Sequence, residues 1–390
     1  MSFRTSHWEQ TTFLKPPDVA IVGAGLTGLQ AALALKGANP KCDVLVIERA
    51  PIPRGASTRN AGFACFGGPT ELLADMDAYG AESTLATVQE RFAGIRALAE
   101  NYAHRRIGWK KNGGYEVIDE TPIATMVRER LPELNALLAE VTGLRETWTY
   151  CKHPFSDVKN CLRNGFEAQL HPGKLVSLLL KDCHRAGVRF LFGCEVDEVG
   201  AVAGEAKWNP QPSQGAVKVE GAGWGSIVAK QVLVTVNAFA RQLLPEDFPE
   251  TIRPVRNQIL LSKPLPNFRL RGCYHYHEGY VYFRNVGEDR LLIGGARHLA
   301  GAASETDAFG PNGVPEAYLL EKLNRWLPDQ RWREEDFPVR WSGIIAQGDG
   351  KSPVLRYTSD GVLVAGRLAG MGVALSAALA RRAARMIVEA

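Results

Sequence analysis

No stretch of about 18 consecutive apolar residues occurs in the 390-residue chain, so no segment is expected to span a membrane. Residues 1–17 lack the apolar core of a secretory signal. The seven cysteines (Cys42, Cys65, Cys151, Cys161, Cys183, Cys194 and Cys273) contain no C-x-x-C pair. An odd, dispersed set in a chain this long points to reduced thiols and a cytoplasmic compartment. The net charge is only +4 and the basic residues are scattered, which argues against a nucleic-acid partner. There is no internal repeat and no low-complexity tract. What is present is ordinary for a globular protein: 45% apolar and 23% charged residues, at a length that suits two or three domains.

The one strongly organised stretch is DVAIVGAGLTGLQAALALKGANPKCDVLVIER, Asp18 to Arg49. An apolar run, Val19 to Val22, meets Gly23, Gly25 and Gly28 in G-x-G-x-x-G spacing. A helical apolar pattern follows, and a second apolar run ends on Glu48. This predicts strand, tight turn, helix and strand. Gly23 permits the turn, Gly25 lets the backbone approach a pyrophosphate, and Gly28 lets helix and strand pack closely. The helix N-terminus offers free N–H groups and positive dipole to phosphate. Glu48 stands where a ribose hydroxyl would be bound. The stretch alone does not separate NAD from FAD, and a βαβ turn that binds nothing is the bland alternative.

Beyond it, Pro51–Gly68 is rich in small residues and aperiodic, so it reads as a loop or an irregular helix start against which something bulky lies. Glu71 to about Leu138 is helical, with a weak strand at Gly114–Ile118. Leu175–Ala186 is a helix, followed by strands at Val188–Phe192 and Cys194–Val199. A Gly/Pro-rich loop spans Gly204–Gly215, before strands at Ala216–Glu220, Ser226–Ala229 and Gln231–Val236. Ile252–Pro266, Cys273–Arg284 and Leu291–Gly295 predict an antiparallel sheet joined by short connections. Val314–Leu327 is an amphipathic helix, Val339–Ala346 a strand, and Gly372–Glu389 a closing helix. Residues 1–17 are expected to form an arm over the first strand.

Taken in order, these segments resemble the FAD-dependent oxidoreductases of the D-amino acid oxidase, glycine oxidase and sarcosine oxidase family. The likeness rests on the Asp18–Arg49 stretch, GASTRNAG (Gly55–Gly62), HPGKLVSLLL with GVRFLFGCEV, VLVTVNAFARQLLP, IRPVRNQILLSKPL, YVYFRNVGEDRLLIGGARH, and WSGIIAQGDGKSPVL with VLVAGRLAGMGVALSAALARRAARMI. In overall pattern, including the Ser6-x-Trp8 arm, the chain looks nearer to amine-oxidising members such as γ-glutamylputrescine oxidoreductases. The resemblance implies an α/β protein with a Rossmann-like FAD-binding domain of the glutathione-reductase type. Its segments are expected at 1–90, 165–250 and 340–390. An α+β substrate domain with an antiparallel sheet is expected at 91–164 and 251–339. It implies FAD contacts at Gly23, Ala24, Gly25, Leu26, Thr27, Gly28, Glu48 and Arg49; at Ser57, Thr58, Arg59, Asn60, Ala61 and Gly62; at Val196, Asn237 and Ala238; and at Gly366, Gly370, Met371, Gly372 and Val373. A helix N-terminus at Gly370–Gly372 would favour a reduced, anionic flavin.

The departures are informative. Relatives of sarcosine oxidase attach flavin through a cysteine before the final strand, and Trp341–Gly361 contains none. A histidine used by other relatives is matched by Asn60, so non-covalent FAD is expected. The arginine that binds substrate carboxylate in glycine and D-amino acid oxidases is matched by Ile345. Arg297 is the candidate to replace it, because a guanidinium binds a carboxylate bidentately. The lysine that activates oxygen is matched by Leu292, so the electron acceptor is oxygen or another molecule.

The sequence therefore predicts oxidation of a C–N bond of a small amine or amino acid by hydride transfer, followed by imine hydrolysis. Tyr280, Tyr282, Arg297, Trp341 and His277 are the candidates for the catalytic site. Alternation places His275 and His277 on one strand face. With no third ligand evident, no metal is expected. No strong acid–base constellation stands out, so catalysis is expected to rest on orientation and pocket electrostatics. The alternatives are a flavoenzyme of the same fold acting on a 2-hydroxy acid or a modified RNA base, a nicotinamide-dependent dehydrogenase, and a flavin-binding module without catalysis.

Overall fold

The computed structural model describes residues 5–201 and 216–390. The expected loop at 204–215 lies outside the described residues. The chain folds as two compact units. The first comprises residues 1–58, 173–254 and 345–390; the second comprises 59–172 and 255–344. The first expected boundary moves: residues 59–90 belong to the second unit, because the Pro69–Tyr79 helix packs on the helices that follow it.

The first unit is built on a six-stranded sheet. Its order is Val354–Tyr357, Leu363–Gly366, Gln231–Val234, Val19–Val22, Val44–Glu48 and Arg189–Phe192. All neighbours are parallel except the first pair. The central strand Val19–Val22 is wholly buried, which is why it reads as a continuous apolar run. The helices Leu26–Ala38 and Gly372–Glu389 pack against each other, and Gln30 Nε2 donates to Ser376 Oγ at 2.8 Å. Leu29 and Leu35 are fully covered on that helix. Each such burial contributes about 2 kcal/mol, which compensates for the helix's poor amphipathic pattern. A separate three-stranded antiparallel sheet holds Glu198–Ala201, Val217–Gly221 and Gly225–Ala229. Residues 194–197, expected as strand, are not strand; pairing begins only at Glu198. The N-terminal arm forms a short helix, His7–Thr12. The arm is held at the sheet's outer strand, where Arg189 donates to the carbonyls of Phe13 and Lys15.

The second unit carries an eight-stranded sheet. Its order is Val339–Gln347, Arg253–Leu261, Arg290–Gly295, Val281–Val286, Cys273–Tyr276, Gly114–Ile118, Asn160–Asn164 and Thr149–Tyr150. The expected antiparallel meander is its centre. Cys273–Tyr276 pairs in parallel with Gly114–Ile118, which joins the unit's two chain segments. The helices are Pro69–Tyr79, Ala81–Tyr102, Thr121–Thr142 and Gly313–Trp326. Phe283, Tyr274, Trp326, Leu319 and Leu323 lie in the core against this sheet. Lys322 is buried among them, with its ammonium 2.9 Å from Asp119 and 4.7 Å from the Tyr276 ring centre.

Candidate active site

In the first unit the glycines do what their spacing requires. Gly23 has φ +104°, a region that disfavours any side chain. A Cβ on Gly28 would lie 2.1 Å from the Gly23 carbonyl oxygen and 2.7 Å from Thr235 Oγ1, so helix and strand meet at backbone distance. Gly25 caps the Leu26–Ala38 helix without a side-chain cap. The Leu26 N–H donates to Ser57 Oγ at 2.9 Å. The N–H groups of Thr27 and Gly28 have no acceptor among the described residues. A backbone cradle with orphaned donors at a helix N-terminus, which Cβ atoms would fill, fits an anionic pyrophosphate.

Glu48 differs from its expected role. Its carboxylate accepts from Ala24 N–H at 3.0 Å and Ala50 N–H at 3.1 Å, so it first of all fixes the glycine turn. A carboxylate has about four lone-pair sites, which leaves two for ribose hydroxyls. Arg49 stacks 3.9 Å over the Phe239 ring. Asn237 has φ +51° and accepts from Leu368 N–H at 3.3 Å, bringing the turn after Gln231–Val234 beside Gly366. Ala238 is buried, and Val196 is half-buried just beyond the Arg189–Phe192 strand. Arg367, Ala369 and Gly370 all have positive φ. This tight loop sets Met371 as the cap of the closing helix, with Gly372 and Val373 in its first turn. Arg367 anchors it, donating to Glu250 at 2.8 Å and to Ser352 O at 3.2 Å. Thr58 Oγ1 donates to Pro53 O at 2.9 Å and so stiffens its own loop.

In the second unit the segment after Thr58 is held by side chain and backbone together. Arg59 Nη1 donates to Ser342 O at 2.9 Å, and Trp341 Nε1 donates to Arg59 O at 3.1 Å. Trp341 thus has its only donor committed to the loop, and its ring packs with Ala61, Ile259 and Leu292. Asn60 Oδ1 accepts from Gly62 N–H at 2.8 Å, and Gly62 (φ +74°) lies so close to Leu170 that a Cβ would be 2.3 Å from its carbonyl oxygen.

The candidate substrate residues gather around Arg297. Its guanidinium lies 4.6 Å from the Tyr280 ring centre, and burial lowers its pKa. No carboxylate among the described residues comes within ion-pair reach of it. Tyr282 is pushed up to about 12 by burial, against the pull of Arg297, and packs edge-on to Phe63. His298, absent from the sequence reading, stacks on His277 at 4.8 Å and lies 4.7 Å from Tyr280. Burial first, and then the charges of His277 and Arg297, lower its pKa to about 4.

His275 and His277 do not share a face. His277 has φ +53°, so the strand's alternation ends before it and its ring is exposed on the turn. His275 points into the core, where Nε2 is 2.8 Å from Glu167 Oε2. Burial alone would lower its pKa, but Glu167 outweighs this and raises it.

His275 belongs to a constellation that corrects the expectation of none. Glu116 is fully buried and accepts from the Thr70 N–H at 2.9 Å and from the Thr70 hydroxyl. Burial, opposed by those bonds, raises it to about 7. Glu71 pairs with buried Arg91 at 3.0 Å. Thr70 Oγ1 also accepts from Glu278 N–H at 3.0 Å, which ties this buried set to the His277 turn. The only local sequence signal was an acid set between apolar neighbours, as Glu116 is between Tyr115 and Val117. Cys65, Glu167 and His275 place possible ligand atoms within 4.8 Å of one another. The 2.8 Å between Glu167 and His275 is a hydrogen-bond distance, shorter than the roughly 3.3 Å between donors around a tetrahedral zinc ion.

Among the described residues no helix is long and apolar enough to cross a membrane. The sequence model of the FAD dependent oxidoreductase family matches residues 18–386. The chain is 23% identical over 350 residues to gamma-glutamylputrescine oxidoreductase of Escherichia coli (strain K12), covering 84% of this chain and 73% of that protein. It is 24% identical over 376 residues to the probable oxidoreductase OrdL of Rhizobium meliloti (strain 1021), covering 92% and 80%. The fold matches glycine oxidase from Geobacillus kaustophilus with a TM-score of 0.72 and 19% identity, over 96% of this chain and 95% of that one. The chain belongs to the FAD dependent oxidoreductase family: it is an enzyme, and its cofactor is FAD.

Proposed function

We propose that this enzyme oxidises the C–N bond of a small amine that carries a carboxylate, an amino acid or an amino-acid derivative. The observation that carries the reading is Arg297: partly buried, stacked on Tyr280, and without an acidic partner among the described residues. A guanidinium in that condition is completed by a ligand carboxylate, which it binds bidentately. The name of one sequence relative, gamma-glutamylputrescine oxidoreductase, supports an amine substrate.

FAD, held non-covalently, supplies the two-electron hydride acceptor when bound. Within the first unit, residues 23–28 would hold its pyrophosphate and Glu48 its ribose. Arg297 fixes the substrate by its carboxylate, and Tyr280 and Tyr282 wall the amine. Tyr282 is a neutral donor, since burial has raised its pKa to about 12. An apolar wall disfavours the ammonium form, so the substrate enters the reaction as free amine. No nucleophile of the chain is required; orientation and exclusion of water do the work. The imine product hydrolyses in water, and the electrons pass to oxygen or another acceptor.

The test is anaerobic bleaching of bound flavin against matched pairs of amines with and without a carboxylate. Bleaching by the carboxylated member, with the decarboxylated one inert or much weaker, supports the reading. Bleaching by 2-hydroxy acids alone overturns the amine assignment, and bleaching by none favours a non-catalytic flavin module.

A further inference from the structure

We propose that Cys151 and Cys161 form a reversible cross-strand disulfide site at the edge of the second unit's sheet. The inference is independent of the substrate reading. Thr149 faces Arg163 and Tyr150 faces Leu162 in antiparallel register, so the next opposed pair is Cys151 and Cys161. The Cys151 N–H donates to the Cys161 carbonyl at 2.9 Å. Their side chains leave the sheet on the same face, and the Cys161 thiol donates to the Leu162 carbonyl at 3.9 Å. Both pack on the same apolar cluster, near Phe155 and Tyr274.

The two thiols differ in access. Cys151 is half-buried just past the outermost strand, Thr149–Tyr150, whereas Cys161 is 1% exposed. Burial raises both, Cys161 much further, while the charge of Arg163 favours the thiolate of Cys151. Cys151 is therefore the sulfur that an oxidant meets, and Cys161 is the resolving thiol. With a hydroperoxide as oxidant, the Cys151 thiolate takes one oxygen to become a sulfenic acid and releases hydroxide, which is protonated to water. The Cys161 thiol then attacks that sulfur, loses its proton, and expels a second water. Two thiols lose two electrons and two protons; one peroxide is reduced to two waters.

Directly opposed residues of a hydrogen-bonded antiparallel pair lie about 5.5 Å apart at Cα, within the range a disulfide spans. Their Cβ atoms stand wider than an unstrained disulfide prefers, so the strands must draw together. A bond of this kind has a higher potential than a structural disulfide and is readily reduced. The site is therefore reversible.

The test uses the holoenzyme with hydrogen peroxide, followed by alkylation of free thiols and peptide mapping. The expected result is one cross-linked peptide pair joining residues 151 and 161, lighter by two hydrogens and abolished by dithiothreitol, with the other five cysteines alkylated. Cys161 is buried and its replacement endangers the fold, so Cys151→Ser carries the control: the cross-link disappears and Cys161 remains alkylatable after denaturation. Recovery of Cys151 as sulfinic acid with Cys161 still a free thiol overturns the proposal. So does a cross-link that joins any other pair.

Discussion

The guanidinium of Arg297 lies face-on to Tyr280, 4.6 Å from the ring centre, while the ring of Tyr280 also meets His298 at 4.7 Å. The cation is thereby held in one place by a neutral surface, and its hydrogen-bonding edge is left for an anion. Arg297→Met is expected to raise KM for a carboxylated amine about 10- to 100-fold, the worth of hydrogen bonds to a charged group. The rate of flavin reduction at saturation should change far less. Stopped-flow reduction measures both, and an unchanged KM removes Arg297 from the substrate site.

Gly28 and Gly25 separate close packing from cofactor approach. A methyl at Gly28 meets the Gly23 carbonyl oxygen at 2.1 Å, a rigid neighbour. A methyl at Gly25 meets Ser57 Oγ at 2.9 Å, the end of a side chain that can turn away. Gly28→Ala should therefore cost several kcal/mol of stability by overpacking and yield little folded flavoprotein, while Gly25→Ala folds but retains FAD weakly. Flavin absorbance per folded protein distinguishes them.

Trp341→Phe should keep most of the packing on Ala61 and lose the bond to the Arg59 carbonyl. The expected cost is about 1 kcal/mol, with looser flavin and an unchanged substrate preference. A shift in substrate preference would show that the indole touches substrate.

The pH dependence of stability should have two limbs. Glu116 has a folded pKa of about 7, above its ordinary 4.5, so its contribution is full below 4.5 and is lost as pH rises through 7. The loss is on the order of 3 kcal/mol. His275 acts in the same sense, since its folded pKa is also raised. His298 acts oppositely: its folded value of about 4 lies below 6.5, so stability is lost as pH falls from 6.5 through 4. Urea unfolding between about pH 5 and pH 8 should show the alkaline slope shrink in Glu116→Gln. An unchanged slope means that another group titrates.

Acid precipitation should release the flavin into the supernatant. Trp341–Gly361 holds no cysteine and position 60 is asparagine, so neither offers a side chain that can form the covalent link. Flavin retained in the pellet would falsify this.

The glycine turn was legible because its requirements are local: φ at Gly23 and the contact at Gly28 depend on residues a few places apart. The antiparallel meander was legible because short connections leave its strands few other partners. The bonds of Glu48 to Ala24 and Ala50 were not legible, since a terminal acid looks the same whether it holds a ribose or a turn. His277 was misplaced because alternation holds only while φ stays negative. The pairs Glu167–His275 and Thr70–Glu116 were invisible because their members are 108 and 46 residues apart. No local period records such a meeting. The division of the chain at Thr58/Arg59 was not legible for a related reason, since Pro69–Tyr79 takes its unit from its packing partners.

The bond between Gln30 and Ser376 joins residues 346 apart in the chain. The Val19–Val22 strand also waits for Gln231–Val234 to cover its flank. During synthesis, the glycine turn therefore leaves the ribosome long before the strand and helix that bury it. The second unit, which needs only residues 59–344, can close first. At typical elongation rates of about 5–20 residues per second, the first apolar βαβ unit spends tens of seconds uncovered. A chaperone acting on nascent chains would find its longest-lived substrate there.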